Sequence, residues 1–341
     1  MNRTKYLSHL LTALIIGSFS LCFAVNKTGT TAANFLKIGA GSRAVGMGGA
    51  FVAVADDASS MYWNAGGLGR LNQPELIVNH SQWIADIGYT FMGFALPLRA
   101  GGTLGINVIA MTMDEMTVTT YGNEEGTGET FKAGSYALGL AYGKELTDRF
   151  SIGANVKLIN EFISHSSAKG LALDLGTLFI TPFKSIRFGA SISNFGQKMQ
   201  IQGEDLLVVK DIDEIHHGNN ESVNAYLATD RFDLPLFLRV GFAGELIDTQ
   251  TLRISWAIDG IHPNDNSEYV NVGFETSLFG GLLSLRGGLK SLYMDDREEQ
   301  FTLGGGVRLP LKGRMKIDAD YAYESFLHLK TIQKFTIRLV F

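Results

Sequence analysis

Proline is scarce in this chain, at 6 residues of 341, and cysteine occurs once. So little proline leaves long hydrogen-bonded ladders unbroken. A lone cysteine, Cys22, excludes a disulfide framework and any multi-cysteine metal site. Only 18% of residues are charged, and the net charge of -5 denies nucleic acid the basic face it needs. Beyond the amino terminus no stretch has the roughly 18 uninterrupted apolar residues of a membrane helix. What is present is unusual beside those absences: 45% of residues are hydrophobic and 40 are glycine.

Arg3 and Lys5 precede an apolar stretch from Leu10 to Ala24. That stretch is too short and too early for a spanning helix and has the form of a secretory leader. Cys22 and Ala24 put small residues where a signal peptidase reads, so residues 1–24 are expected to be removed after Ala24. Leu21 is poorly suited to precede a lipid-anchored cysteine, which argues against lipidation at Cys22.

Along the rest of the chain, apolar residues recur at every second position. Phe150, Ile152, Ala154, Val156 and Leu158 alternate with Ser151, Gly153, Asn155 and Lys157. The same rhythm runs through Leu236–Glu245, Leu252–Asp259, Val270–Leu278 and Lys316–Glu324. It ends in Phe335, Ile337, Leu339 and Phe341, interleaved with Lys334, Thr336 and Arg338. Period two means strands with one greasy and one wet face. From Pro74 onward the pattern divides into about fourteen strands of the roughly 9–11 residues that a tilted membrane strand needs.

Connections supply a second signal. The turns at Thr147-Asp148, Asp248–Gln250, Gly280-Gly281 and Lys312-Gly313 are tight. Between them lie longer polar stretches at 114–130, 164–167, 196–234, 262–268 and 293–299. Such alternation is that of an outer-membrane barrel, with short periplasmic turns and long external loops. The predicted fold is all-β: a transmembrane up-and-down antiparallel barrel over residues 74–341, in the bacterial outer membrane. Its lipid is one expected partner. The barrel-insertion machinery is another, reading Phe335, Ile337, Leu339 and Phe341 as an insertion signal.

Residues 25–73 break the rhythm. Glycine and alanine dominate 33–71, and Asp56 and Asp57 precede Ala58-Ser59-Ser60 as helix-start residues. A short segment of small residues ahead of a barrel is suited to packing inside the lumen as a hatch. The run SRAVGMGGAFVAVADDASSMYWNAGGL resembles the amino-terminal signature of the PorV/PorQ family, a branch of the FadL-like outer-membrane barrels. Arg43, Gly46, Gly48, Gly49, Asp56, Asp57, Tyr62, Trp63, Asn64 and Leu68 carry the likeness. Relatives usually have proline after the Trp-Asn pair; here Ala65 follows Asn64, which predicts a looser turn.

The resemblance implies fourteen strands around an internal amino-terminal segment. It implies two roles. PorV-type members serve type IX protein secretion, and this is the leading expectation, with secreted client proteins as partners held by the 196–234 loop. The alternative is a FadL-like channel for hydrophobic small molecules, gated by the hatch.

Other motifs carry less. Gly39-Ala40-Gly41-Ser42-Arg43-Ala44 approximates a dinucleotide fingerprint but lacks the flanking parallel βαβ context. His216 and His217, near Glu204 and Asp205, would point apart on an extended chain, so no metal site is expected. No cofactor or catalytic constellation is legible, and the chain is not expected to be an enzyme. The wet-face charges Lys157, Asp174, Arg187, Arg239, Glu245, Arg253, Asp259, Glu275, Arg286, Arg308, Asp318 and Arg338 interleave both signs. That predicts a paired lumenal network holding the hatch rather than a single-sign selective ring.

Overall fold

The computed structural model describes residues 28–341 apart from 100, 184–185, 212–214, 216–221 and 312. The expected leader, the His216-His217 pair and Lys312 therefore lie outside the described residues.

The wall strands are β1 (Glu75–Gln82), β2 (Gly88–Leu98), β3 (Gly102–Thr112), β4 (Ala133–Thr147), β5 (Phe150–Ile163), β6 (Ser166–Ile180) and β7 (Arg187–Gly196). They continue as β8 (Phe237–Asp248), β9 (Leu252–Pro263), β10 (Tyr269–Leu278), β11 (Leu283–Leu292), β12 (Glu299–Pro310), β13 (Lys316–Phe326) and β14 (Ile332–Val340). Each pairs antiparallel with its sequence neighbours. β1 also pairs antiparallel with β14, from Glu75 opposite Val340 to Ser81 opposite Lys334. The result is a closed 14-stranded antiparallel barrel. Closure satisfies the backbone of every strand without leaving an edge, the condition for crossing lipid with strands.

The outward face is apolar across neighbouring strands. Ile106 lies opposite Leu140, and Leu140 opposite Val156. Leu140 is 64% exposed and Leu158 59%, values a water-facing wall would not sustain over so many strands. Phe335, Ile337 and Phe341 are exposed with them, and Leu339 is half-buried.

The inward face is more mixed than simple alternation predicts. Polar residues dominate it on β8–β14, but β2 turns Tyr89 and Phe91 inward, both fully buried, beside Ile77 and Ile109. An interior filled by protein rather than water accepts apolar side chains on both faces of a strand.

The ends of the strands separate by connection length. At one end the turns are short, such as Asp148-Arg149 and 249–251. At the other lie 113–132 and 197–236, which carry small two-stranded sheets of their own, Leu207–Lys210 with Val223–Tyr226 and Met116–Thr117 with Thr130–Phe131. The long-loop end is the external one in this architecture. One connection departs from expectation. The polar stretch 164–167 is no long loop, because Ile163 pairs with Ser166 and leaves a two-residue turn, Ser164-His165. Ser164 takes a positive φ of 51°, as tight hairpins require.

Candidate functional site: the lumenal segment and its charged frame

Residues 34–71 pack against the inward faces of the wall. They form a 3-10 turn at Asn34–Lys37, α1 (Ser42–Gly46), α2 (Ser60–Trp63) and a second 3-10 turn at Ala65–Arg70. Helices this short do not hold themselves; tertiary contacts hold them. Small residues allow backbone to lie against backbone. A Cβ on Gly176 would sit 2.1 Å from Asn64 Oδ1, and one on Gly273 would sit 2.2 Å from the Met47 carbonyl oxygen. Gly48 and Gly49 turn the chain with φ of +68° and +71°, a region that favours glycine, and Gly46 lies against Gly304.

Wall side chains bond the backbone of this segment from several directions. Ser42 N donates to Thr336 Oγ1 at 2.8 Å, and Gly48 N to Thr302 Oγ1 at 2.9 Å. Asp259 Oδ2 accepts from Phe51 N and Val52 N at 2.7 and 2.9 Å, and Glu75 from Ala58 N at 2.8 Å. Asp57 accepts from Ser59 N at 2.9 Å, an Asx turn that leads into α2. Tyr62 donates to the Leu36 carbonyl at 3.0 Å and Trp63 Nε1 to that of Ala40 at 2.8 Å. The two rings pack edge to face, while Leu68 is fully buried.

The turn at Asn64 is not loose, although proline is missing. Asn64 Nδ2 donates to the carbonyls of Val52 and Thr177 at 2.7 and 2.9 Å, and Asn64 Oδ1 accepts from Gly66 N at 3.0 Å. Three side-chain bonds do what ring rigidity would do elsewhere.

The charged residues fall into groups. Arg43 grips Glu275 with Nε at 2.9 Å and Nη2 at 3.0 Å, and also pairs with Asp56 and with Asp57. Arg286 holds the same Glu275 at 2.7 Å and Asp320 at 2.6 Å. Arg253 reaches Glu275 only at 3.9 Å. At the closing seam, Asp318 pairs with Arg308 at 2.8 Å and with Arg338, which also reaches Glu75 at 3.4 Å and Asp57 at 3.8 Å. Lys157 pairs with Asp174 at 2.8 Å and bonds Asn194. Arg187 pairs with Glu245 at 2.8 Å. Arg239 bonds Ser193 at 3.0 Å and lies over the rings of Phe237 and Trp63.

Another group was legible only in part: alternation puts Glu324 and Lys334 on the wet face but leaves Lys290, Ser291 and Glu299 unplaced. Lys290 bonds Glu299 at 2.6 Å and also Glu324; Ser291 donates to Glu299 at 2.8 Å. Lys334 donates to the Gly39 carbonyl at 3.0 Å and approaches Glu324 at 3.7 Å. Lys290 is in phase with Arg286, but a register shift at β10–β11 brings Ser291 inward beside it and blurs the alternation.

Lys290, Glu299 and Glu324 of this group line a cavity of ≈ 440 Å³ near the external mouth. Its apolar lining comes from Phe35, Ile38, Trp83, Ile84, Ile87 and Met111. The connection Trp83–Ile87 covers it, with Ala85 and Asp86 at positive φ. A cavity of this size with greasy walls and a few fixed polar groups has the form of a small-molecule site.

Residues 20–175, just under half of the chain, match an uncharacterised protein family, UPF0164. None of the curated proteins compared with it matches the sequence. Among solved structures, the chain is similar to the CymD monoaromatic hydrocarbon channel, with a TM-score of 0.57 at 12% identity over 91% of this chain and 98% of that one. It is similar to a FadL homologue of Pseudomonas aeruginosa, with a TM-score of 0.52 at 12% identity over 93% and 99%. The toluene transporter TodX of Pseudomonas putida gives 0.53 at 11% identity over 89% and 97%. At such identities the likeness is one of fold. It is the fold of a large bacterial outer-membrane barrel, shared with channel proteins rather than enzymes.

Proposed function

We propose that this protein is a passive outer-membrane channel for small hydrophobic compounds, with residues 25–73 acting as its hatch. The observation that carries the reading is the apolar cavity between the lumenal segment, the Trp83–Ile87 connection and the wall. A solute partitions from the external side into this cavity, gaining roughly 25 cal/mol per Å² of apolar surface removed from water. Arg43, Asp57 and Asn64 fix the hatch beneath it, and the paired wall charges keep the lumen from acting as an open ion pore. The likeness in fold to CymD, a monoaromatic hydrocarbon channel, and TodX, a toluene transporter, favours this class of solute.

The test is uptake of labelled toluene by cells with an intact lipopolysaccharide outer membrane. Expression should raise the uptake rate, and Met111→Trp or Ile84→Trp, which fill the cavity, should abolish the gain. Equal uptake with the cavity filled would sink the proposal. The secretion role suggested by the PorV/PorQ resemblance has one supporting observation. The external excursion exposes Val209, Tyr226, Leu227 and Phe232, apolar residues that suit a protein contact. Exported clients co-purifying with the barrel, and stranded in the periplasm on its deletion, would support that reading instead.

A further inference from the structure

We infer that the cavity selects uncharged hydrophobic molecules carrying a hydrogen-bond donor, such as alcohols and phenols, and rejects carboxylate anions. The inference rests on the uptake reading and adds the class of solute. The charged residues that line the cavity are Lys37, Lys290, Glu299 and Glu324. Both ammoniums are already neutralised by carboxylates. Lys37 is held by Asp265, which also accepts from Thr31. Lys290 is gripped between Glu299 and Glu324. Behind them, Lys334 is 1% exposed, engages Gly39 and lies over the rings of Trp83 and Tyr89.

An incoming carboxylate would find no unneutralised cation and would meet two carboxylates. In an apolar cavity that repulsion is weakly screened and the anion has left its water shell. A hydroxyl meets the opposite situation. Glu299, with a side chain 30% exposed, has acceptor lone pairs at the cavity edge and is its partner. Glu324 is not that partner, because Lys290 engages its Oε1 and its Oε2 is buried without accessible surface. An edge carboxylate beside ammoniums that are already neutralised favours a ligand that donates over one that brings a further negative charge.

Three probes of nearly one shape test this: toluene, 4-methylphenol and 4-methylbenzoate, titrated calorimetrically at neutral pH into the full chain in lipid nanodiscs. 4-Methylphenol should bind several-fold more tightly than toluene, and 4-methylbenzoate about tenfold or more weakly than 4-methylphenol. Glu299→Gln, at the cavity edge, should close most of the gap between phenol and benzoate. Glu299→Gln should also reduce the preference of phenol over toluene, whereas Glu324→Gln, at a buried position, should change it far less. If toluene binds but 4-methylbenzoate matches 4-methylphenol, or Glu299→Gln leaves their ratio unchanged, the selectivity is refuted while the uptake reading stands. If none of the three binds, both fall.

Discussion

Arg43 and Arg253 address the same carboxylate, Glu275, and should differ sharply in what their loss does. Arg43 makes two short charge-assisted bonds to it, has a side chain only 14% exposed, and also holds Asp57 at 3.1 Å. It lies over the Phe51 ring as well. Arg253 is 43% exposed and 3.9 Å away. Removing one partner of a buried ion pair costs about 3–5 kcal/mol. Glu275 would retain Arg286 and Asp57 would retain Ser59, so Arg43→Met should lie near the lower bound, about 3 kcal/mol. Arg253→Met should cost under about 0.5 kcal/mol, as for an exposed pair.

The loss should appear as local loosening of the lumenal segment rather than collapse of the barrel, whose ladders do not involve Arg43. Hydrogen exchange with mass spectrometry on protein in nanodiscs reads this directly. The reporter amides are Ser42, Gly48, Phe51 and Val52, each bonded to a wall side chain. About 3 kcal/mol is roughly a hundredfold loss of protection at these amides. Peptides from β4 and β5 should be unchanged. Equal protection in Arg43→Met and Arg253→Met would refute the argument that geometry and burial, rather than mere proximity of charge, fix the segment.

Outward and inward positions should also part company. Val240→Arg or Phe274→Arg places a charge on the lipid face and should cost about 2–4 kcal/mol in a vesicle refolding titration, if near the bilayer midplane. Ser255→Arg, inward and paired across the strands with Glu245 and Glu275, should be milder. Gly176→Ala drives a Cβ to 2.1 Å from Asn64 Oδ1 and should cost about 1–3 kcal/mol, read as faster exchange across 64–70. At the external end, the Ser166 hydroxyl, with the His165 amide, holds the Asp205 carboxyl below the usual carboxylate range. A depressed carboxylate stabilises above its unfolded pKa and releases as pH falls through its folded one. Exchange in 199–206 should therefore accelerate only in strong acid, and Asp205→Asn should show the fast rate already at neutral pH.

How much of this was legible depended on what each face touches. On β5 the pattern from Phe150 to Leu158 reads cleanly, because lipid lies on one side and polar groups of the lumen on the other. On β2 it does not, because Tyr89 and Phe91 point into packed protein and the strand is greasy on both faces. Alternation also gives a residue's face but not its position around the barrel. It placed Glu275 inward without revealing that Arg43, 232 residues away in sequence, would grip it. The floor of the cavity was harder still. Glu299 begins its strand and Lys290 adjoins a bulge, where period two fails. Composition made 164–167 read as a loop, yet its polar residues are strand ends and a tight turn.

The same geometry bears on which part of the molecule moves. The lumenal segment is bonded to β14 through Thr336, to β12 through Thr302, to β9 through Asp259, to β1 through Glu75 and to β6 at Thr177. Withdrawing it as one body would break these bonds together and leave buried carboxylates unpaired, each at a cost of several kcal/mol. The connection over the cavity is tied differently. Trp83 N bonds the carbonyl of Ile87, and Gln82 bonds Asp86, so the hydrogen bonds of this turn are largely its own. Swinging it away keeps them intact and gives up the packing of the Trp83 ring on Phe326, the Lys334 ammonium over that ring and the apolar cover of the cavity. Entry by motion of Trp83–Ile87 is therefore far less costly than entry by plug withdrawal, and a disulfide pinning that turn to β14 should slow uptake while leaving exchange at Phe51 and Val52 unchanged.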